Sequence, residues 1–324
     1  MTRKTQYLTP ADKKKIDDFL SHHRLCNQQV YSTPNGPLYH YTTGENFIKI
    51  IQSGEFWATQ IACLNDTTEL TYATEQILQR VKDKLLTRHN ENIDPALKWI
   101  RKVLSAPGSE FSPVFVACFS EQRDDLSQWR AYSGGEGGYA IQFDSKELSK
   151  AELLPMEDGT IPSPISLVRV QYDTADHAIM FDDILEWTEK FFLELEGRKN
   201  SPTVEKWTEE FCFYWLTNLA AFAPLIKNPA FQDEREWRLI YQLGPNDPHL
   251  RPKNPRGLKF RQRQSMMSRH IPLHLKTLPV TGVLVGPCRH PCMSKAAVAD
   301  LLSTSGFNTS AINIQSTEVP YRTV

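Results

Sequence analysis

The spacing of apolar and polar positions changes repeatedly along the chain, and each change marks an element. SPVFVACFS (112–120) is nearly all apolar, the pattern of a strand buried on both faces. PLYHYT (37–42) reads as a short strand. In GENFIKIIQSGEF, Phe47, Ile48, Ile50 and Ile51 predict an amphipathic helix that stops at Gly54, with a second strand over Phe56–Thr59. Further strands are predicted within SQWRAYSGGEGGYAIQF (127–143) after a short helix and a glycine-rich turn, and over SLVRVQY (166–172), LPVTGVLVG (278–286) and AINIQST (311–317). Helical spacing appears over 9–25, from Asn65-Asp66 through the eighties, and over 94–105, 176–197, 203–222 and 294–306. In 203–222 the residues Val204, Trp207, Phe211 and Trp215 form a packing stripe. Helices inserted between strands, without regular βαβ alternation, predict an α+β fold with a mixed sheet. The expected layout is an N-terminal helical extension over 1–36 and one α+β domain over 37–324. Helical insertions fall at about 67–105 and 174–223.

Composition narrows the partners. A chain of 324 residues with 40% hydrophobic and 23% charged residues can bury a sizeable core. A net charge of −1 argues against nucleic-acid binding through overall charge. No apolar run approaches bilayer length, and MTRKTQYLTPADKKK lacks the apolar stretch of a secretory signal, so no membrane partner and a cytoplasmic location are expected. The six cysteines are too scattered for a disulfide framework. Cys288-Arg-His-Pro-Cys292, with His270 and His274, has the donors for zinc. Its C-x3-C spacing and flanking prolines fit a simple turn better, and no metal is expected. Residues 251–270 carry seven Lys or Arg and no acidic residue, which suits a solvated loop or a segment that meets phosphate.

Three segments carry candidate chemistry. In FQDEREWRL (231–239), strand alternation puts Glu234, Glu236 and Arg238 on one face and Arg235, Trp237 and Leu239 on the other. That face either lines a cleft or is a solvated surface with Arg238 neutralising a glutamate. His40, beside Tyr41 in a strand-like stretch, fits either a satisfied core residue or a ligand contact. Trp129 and Tyr132 precede Gly134-Gly135-Glu136-Gly137-Gly138, a flexible turn or a place where backbone meets a ligand closely.

The order of motifs resembles one bacterial family of unknown function, DUF2971. The motifs are LYHYT, LND with a following Glu, CFSE, SQWRAY, GGYAIQF, FQDEREWRL, VLVGP and a terminal PYR, from Leu38 to Arg322. More distantly, a His-bearing strand, a short helix ending in Gly and a second strand look like the opening of ADP-ribosyltransferase-type folds. The glutamate strand resembles their close. That resemblance implies NAD as substrate, Glu236 as the principal catalytic carboxylate, Glu234 acting on the acceptor, and His40 on the adenosine-side ribose. Tyr132 (or Tyr139) would stack against nicotinamide, Tyr41 and Trp129 would also contact NAD, and Arg238 would steady a carboxylate or meet a phosphate. The helical material at 67–105 and 174–223 departs from that pattern.

The first expectation is therefore an NAD-using ADP-ribosyl transferase or glycohydrolase, acting on an unidentified protein or nucleic-acid acceptor as a bacterial toxin or defence effector. Glycosidic cleavage passes through an oxocarbenium-like state that a carboxylate stabilises. Two alternatives stand beside it. One is a metal-dependent nuclease using Asp124, Asp125, Glu234 and Glu236. The other is a non-catalytic binding or regulatory module.

Overall fold

The apolar run centred on Phe115 becomes the strand around which the sheet is organised. The computed structural model describes residues 8–26, 33–64, 68–87, 94–104, 114–134, 137–196, 210, 223–243, 247–251, 254, 256–263 and 266–320. Ten strands form one mixed sheet: β1 (Leu38–Thr42), β2 (Glu55–Gln60), β3 (Val114–Ser120), β4 (Tyr139–Phe143), β5 (Ser166–Arg169), β6 (Glu236–Gln242), β7 (Lys259–Arg263), β8 (Met266–His274), β9 (Val280–Val285) and β10 (Asn313–Ser316). The main path runs β10-β9-β4-β1-β3-β2-β8-β7, while β6 pairs with β3 and β5. β10 and β9 run parallel, whereas β1 with β4 and β2 with β8 are antiparallel. A strand has two edges, so three partners must share the length of β3. β1 meets it at Ser120, and β2 meets it at Phe115 and Val116.

The chain divides into two units. One comprises Tyr31–Cys63, Phe115–Val170 and Gln232–Val324, and carries the sheet. Its helices are α2 (Gly44–Ser53), α5 (Leu126–Tyr132), α6 (Ser145–Ser149) and α8 (Pro291–Thr304), with α8 numbered after the helices named below. The expected stop of α2 is present: Gly54 takes the left-handed conformation (φ 68°) and its N–H bonds the Ile50 carbonyl. Phe47, Ile50 and Ile51 of α2 pack with Phe56, Phe119, Phe143, Trp237, Leu273 and Val298 in the main core. The other unit comprises Met1–Val30, Leu64–Val114 and Gln171–Phe231. Its described helices are α1 (Pro10–Cys26), α3 (Thr68–Thr87), α4 (Asp94–Leu104) and α7 (Thr174–Glu196). Lys84 pairs with Glu189 at 2.8 Å, joining α3 to α7. Buried His177 lies 2.9 Å from the Gln171 carbonyl through Nε2 and 3.1 Å from the Tyr72 hydroxyl through Nδ1.

Two expectations change. The basic 251–270 segment is not simply a loop, because Lys259–Arg263 and Met266–His274 pair as an antiparallel hairpin. Charges at alternate positions are compatible with a strand at a sheet edge. The helix expected over 203–222 falls almost wholly outside the described residues. Among the described residues, no helix is long and apolar enough to cross a membrane.

Candidate functional site

Strand alternation holds for only part of FQDEREWRL. Residues Pro229–Glu234 form a 3-10 turn, Arg235 takes φ 43°, and the strand begins at Glu236. A left-handed residue breaks the two-residue period, so Glu234 does not share a strand face with Glu236. Its carbonyl instead accepts the Ser120 hydroxyl at 2.7 Å. From Glu236 onward the alternation is as expected. Trp237, Leu239 and Tyr241 enter the core, leaving Glu236 and Arg238 on the other face.

That other face is not solvated. Glu236 is 5% exposed and Arg238 is fully buried. The guanidinium donates from Nε to Oε1 at 2.8 Å and from Nη2 to Oε2 at 2.9 Å. Such a fork fixes the carboxylate plane as well as its charge. The strand is tied to the end of β3, where Trp237 Nε1 donates to Glu121 Oε1 at 2.8 Å and the Glu121 N–H bonds the Arg235 carbonyl.

His40 lies on β1, which also pairs with β3. Its half-buried ring sits between Phe56 and Phe119, at centroid distances of 5.5 and 5.6 Å. Nδ1 lies 2.8 Å from the Cys118 carbonyl, a contact a neutral ring makes by donating from Nδ1. Desolvation lowers the pKa and outweighs the carbonyl bond, which acts to raise it. A neutral imidazole in this tautomer presents Nε2 as an acceptor.

The aromatic candidates gather on the opposite face of β1. Tyr41 and Trp129 meet edge to face at 4.8 Å, with Tyr39, Ala140 and Leu284, and Tyr132 packs at the margin. Trp129 is fully buried, and its Nε1 donates to Asp124 Oδ1 at 2.7 Å. The Tyr41 hydroxyl donates to the Gln122 carbonyl at 2.7 Å and accepts the Asp125 N–H at 3.2 Å. Burial pushes its pKa upward. The structure thus brings Tyr41, Trp129 and Tyr132 together as packing, and Glu236 and Arg238 together as an ion pair. It sets His40 apart from the aromatic group. The glycine turn approaches its own chain. A Cβ on Gly138 would lie 2.6 Å from the Ser133 Cα, and the Gly138 carbonyl accepts the Gly286 N–H.

The donors of the other readings are engaged elsewhere. Asp124 accepts from Trp129, Thr317 and Glu318, and Asp125 caps α5 by accepting the Gln128 N–H. His274 Nε2 lies 3.0 Å from Glu55 Oε1, His270 stacks on Trp57, and Cys288 lies 3.7 Å from the Ser294 hydroxyl. Among the described residues, no three His, Cys, Asp or Glu side chains gather as metal ligands would.

Two buried polar groups were not anticipated from sequence. At the far end of β6 the Tyr241 hydroxyl donates to Asp247 Oδ2 at 2.6 Å, and His249 Nδ1 lies 2.8 Å from Asp247 Oδ1. Burial raises the Asp247 pKa, but bonds from His249 and Tyr241 outweigh it and the net shift is downward. His270 is 2% exposed, stacks on Trp57 at 4.6 Å, and has no hydrogen-bond partner for either ring nitrogen among the described residues. Desolvation, then Arg261 and Lys259, lower its pKa to about 4. The only sequence signal for the first group is Asp247-Pro248, a helix-cap pair opening a 3-10 turn.

Residues 128–239 match the family model described as a protein of unknown function (DUF2971). The matched segment runs from Gln128 in α5 to Leu239 in β6. It takes in Trp129, Tyr132, Glu234, Glu236 and Arg238, and omits His40 and Tyr41. It is shorter than the Leu38–Arg322 span of the motifs. No match was found among curated proteins or among solved structures, so neither comparison extends the resemblance to ADP-ribosyltransferases.

Proposed function

We propose that the chain cleaves the nicotinamide–ribose bond of NAD and passes ADP-ribose to a protein or nucleic-acid acceptor, with Glu236 and His40 as the working residues. One observation carries this reading: the His40 strand β1 and the Glu236 strand β6 both pair with β3. Their shared neighbour supports an ADP-ribosyltransferase-like arrangement, in which both strands border one cleft. In this scheme the C1′–N bond breaks, its electron pair leaves with nicotinamide, and the acceptor's oxygen or nitrogen attacks C1′. The Glu236 carboxylate faces the positive charge that develops on the ribose. Arg238 sets its plane, and His40 offers Nε2 to a ribose hydroxyl. Glu234, just outside the strand, takes the proton that the acceptor gives up as it attacks.

The same ion pair favours a second reading, a non-catalytic module in which Glu236 only satisfies Arg238. Incubating the purified chain with labelled NAD and separate pools of protein, DNA and RNA distinguishes them. Free nicotinamide and label on one pool are expected from wild type and not from folded Glu236→Gln. No nicotinamide from wild type with any pool, or equal release by the variant, overturns the catalytic reading.

A further inference from the structure

We infer that the polar face of β2, β8 and β7 around His270 is a binding site for a phosphate group. The inference rests on this face alone and stands whether or not NAD is turned over. Register sets Thr59, His270 and Lys259 opposite one another on three neighbouring strands, so their side chains share one face. The two-residue period adds Glu55 and Trp57 from β2, His274 from β8 and Arg261 from β7. Phe260 and Met267 lie on the opposite face of the hairpin.

His270 is the residue that calls for a ligand. It is 2% exposed, and neither ring nitrogen has a hydrogen-bond partner among the described residues. Its ring stacks on Trp57, which a phenylalanine would do without stranding two buried polar atoms. The surroundings select an anion. The Arg261 guanidinium lies 5.7 Å from the Trp57 ring and donates to the Thr59 hydroxyl at 2.8 Å, and Lys49 Nζ lies 5.0 Å from the same ring. Exposed Lys259 stands opposite His270 and forms no ion pair among the described residues. The carboxylates nearby are engaged: Glu55 lies 3.0 Å from His274 Nε2, and Glu45 pairs with Lys49 at 2.5 Å. Desolvation first, then Arg261 and Lys259, hold His270 neutral, and a neutral imidazole keeps one N–H to donate. A phosphate oxygen takes that N–H while its charge meets the cations. A water molecule would serve the ring but not the charge.

Proton–nitrogen correlation spectra of the imidazole rings test this, recorded on the full chain titrated with inorganic phosphate or with sodium chloride at matched ionic strength. The signal that His270→Phe removes should move saturably with phosphate. Its titration midpoint should rise by about one pH unit, because a nearby opposite charge favours the charged form. Lys259→Ala, an exposed change whose fold circular dichroism verifies, should weaken calorimetric phosphate binding by about tenfold. The inference is overturned if the His270 signal ignores phosphate or answers equally to chloride, which means an adventitious ion only. It is overturned equally if folded Lys259→Ala and His270→Phe both bind phosphate as tightly as wild type. Adenosine monophosphate, as a second probe, separates the sources while keeping the site. Tighter binding than inorganic phosphate assigns it to a nucleotide's phosphate, and equal or weaker binding assigns it to free phosphate.

Discussion

Strand β6 carries a buried polar network at each end, and the two are built differently. At its start, Glu236 and Arg238 form a bidentate pair two residues apart on one strand face. At its end, Tyr241 bonds Asp247 and His249, six and eight residues further along, so the network depends on the chain returning to the same place. The first orients a carboxylate, and the second pins a connection. This difference separates a candidate for chemistry from a structural staple of similar residue types.

The comparison breaks most easily at Arg238. Arg238→Met takes both guanidinium bonds from a buried carboxylate and should cost about 3–5 kcal/mol in urea unfolding, whereas the paired replacement Glu236→Met/Arg238→Met should recover most of it. If the paired variant is no better than the single one, the two residues are not an isolated unit. The next largest effect concerns a histidine in neither network. His270 has a folded pKa near 4, below the unfolded value of about 6.5. The unfolded chain takes up the proton first, so stability is lost as pH falls through that window. The loss should be on the order of 3 kcal/mol by the lower limit. A His270→Phe variant should show a flatter pH–stability curve between those limits, and an unchanged curve would remove this assignment.

Smaller effects sharpen the far end of β6. Tyr241→Phe removes the hydroxyl that Asp247 accepts and should cost about 1–3 kcal/mol. Because the folded pKa of Asp247 is lowered, its contribution is present above the unfolded value of about 3.9 and disappears as pH falls through the folded value. Asp247→Asn should therefore be less stable at neutral pH and lose less stability on acidification. Thermal unfolding across acidic buffers reads both. Smallest of all, Lys150→Ala breaks an exposed pair with Glu147 and should change stability by less than about 0.5 kcal/mol. A larger loss there would mean that surface charge matters more than buried networks in this chain.

Strands with a run of apolar residues were legible: β3 and β9 lie within the segments their patterns predicted, as do β10 within 311–317 and α2 up to Gly54. The β7–β8 hairpin was not, because KFRQR has the composition of a solvated loop, and pairing with β8 rather than apolar content makes it a strand. Glu236 and Arg238 were legible as one face through their spacing. Glu234 was misplaced because nothing in Asp-Glu-Arg signals the left-handed φ of Arg235. The Tyr241–Asp247–His249 network has no periodic spacing, and joins residues six and eight positions apart, a return that no local pattern encodes. Trp129 and Tyr41 were legible as aromatic, but sequence does not say which face of β1 an aromatic shares with which histidine.

The central claim is that the Glu236–Arg238 unit serves chemistry as well as the fold. Nicotinamide release from NAD by wild type and by Glu236→Met/Arg238→Met, measured beside their urea unfolding curves, tests it most directly. The account predicts similar unfolding midpoints with release abolished in the paired variant. Release that persists in a folded paired variant, or that is absent from wild type, would contradict it.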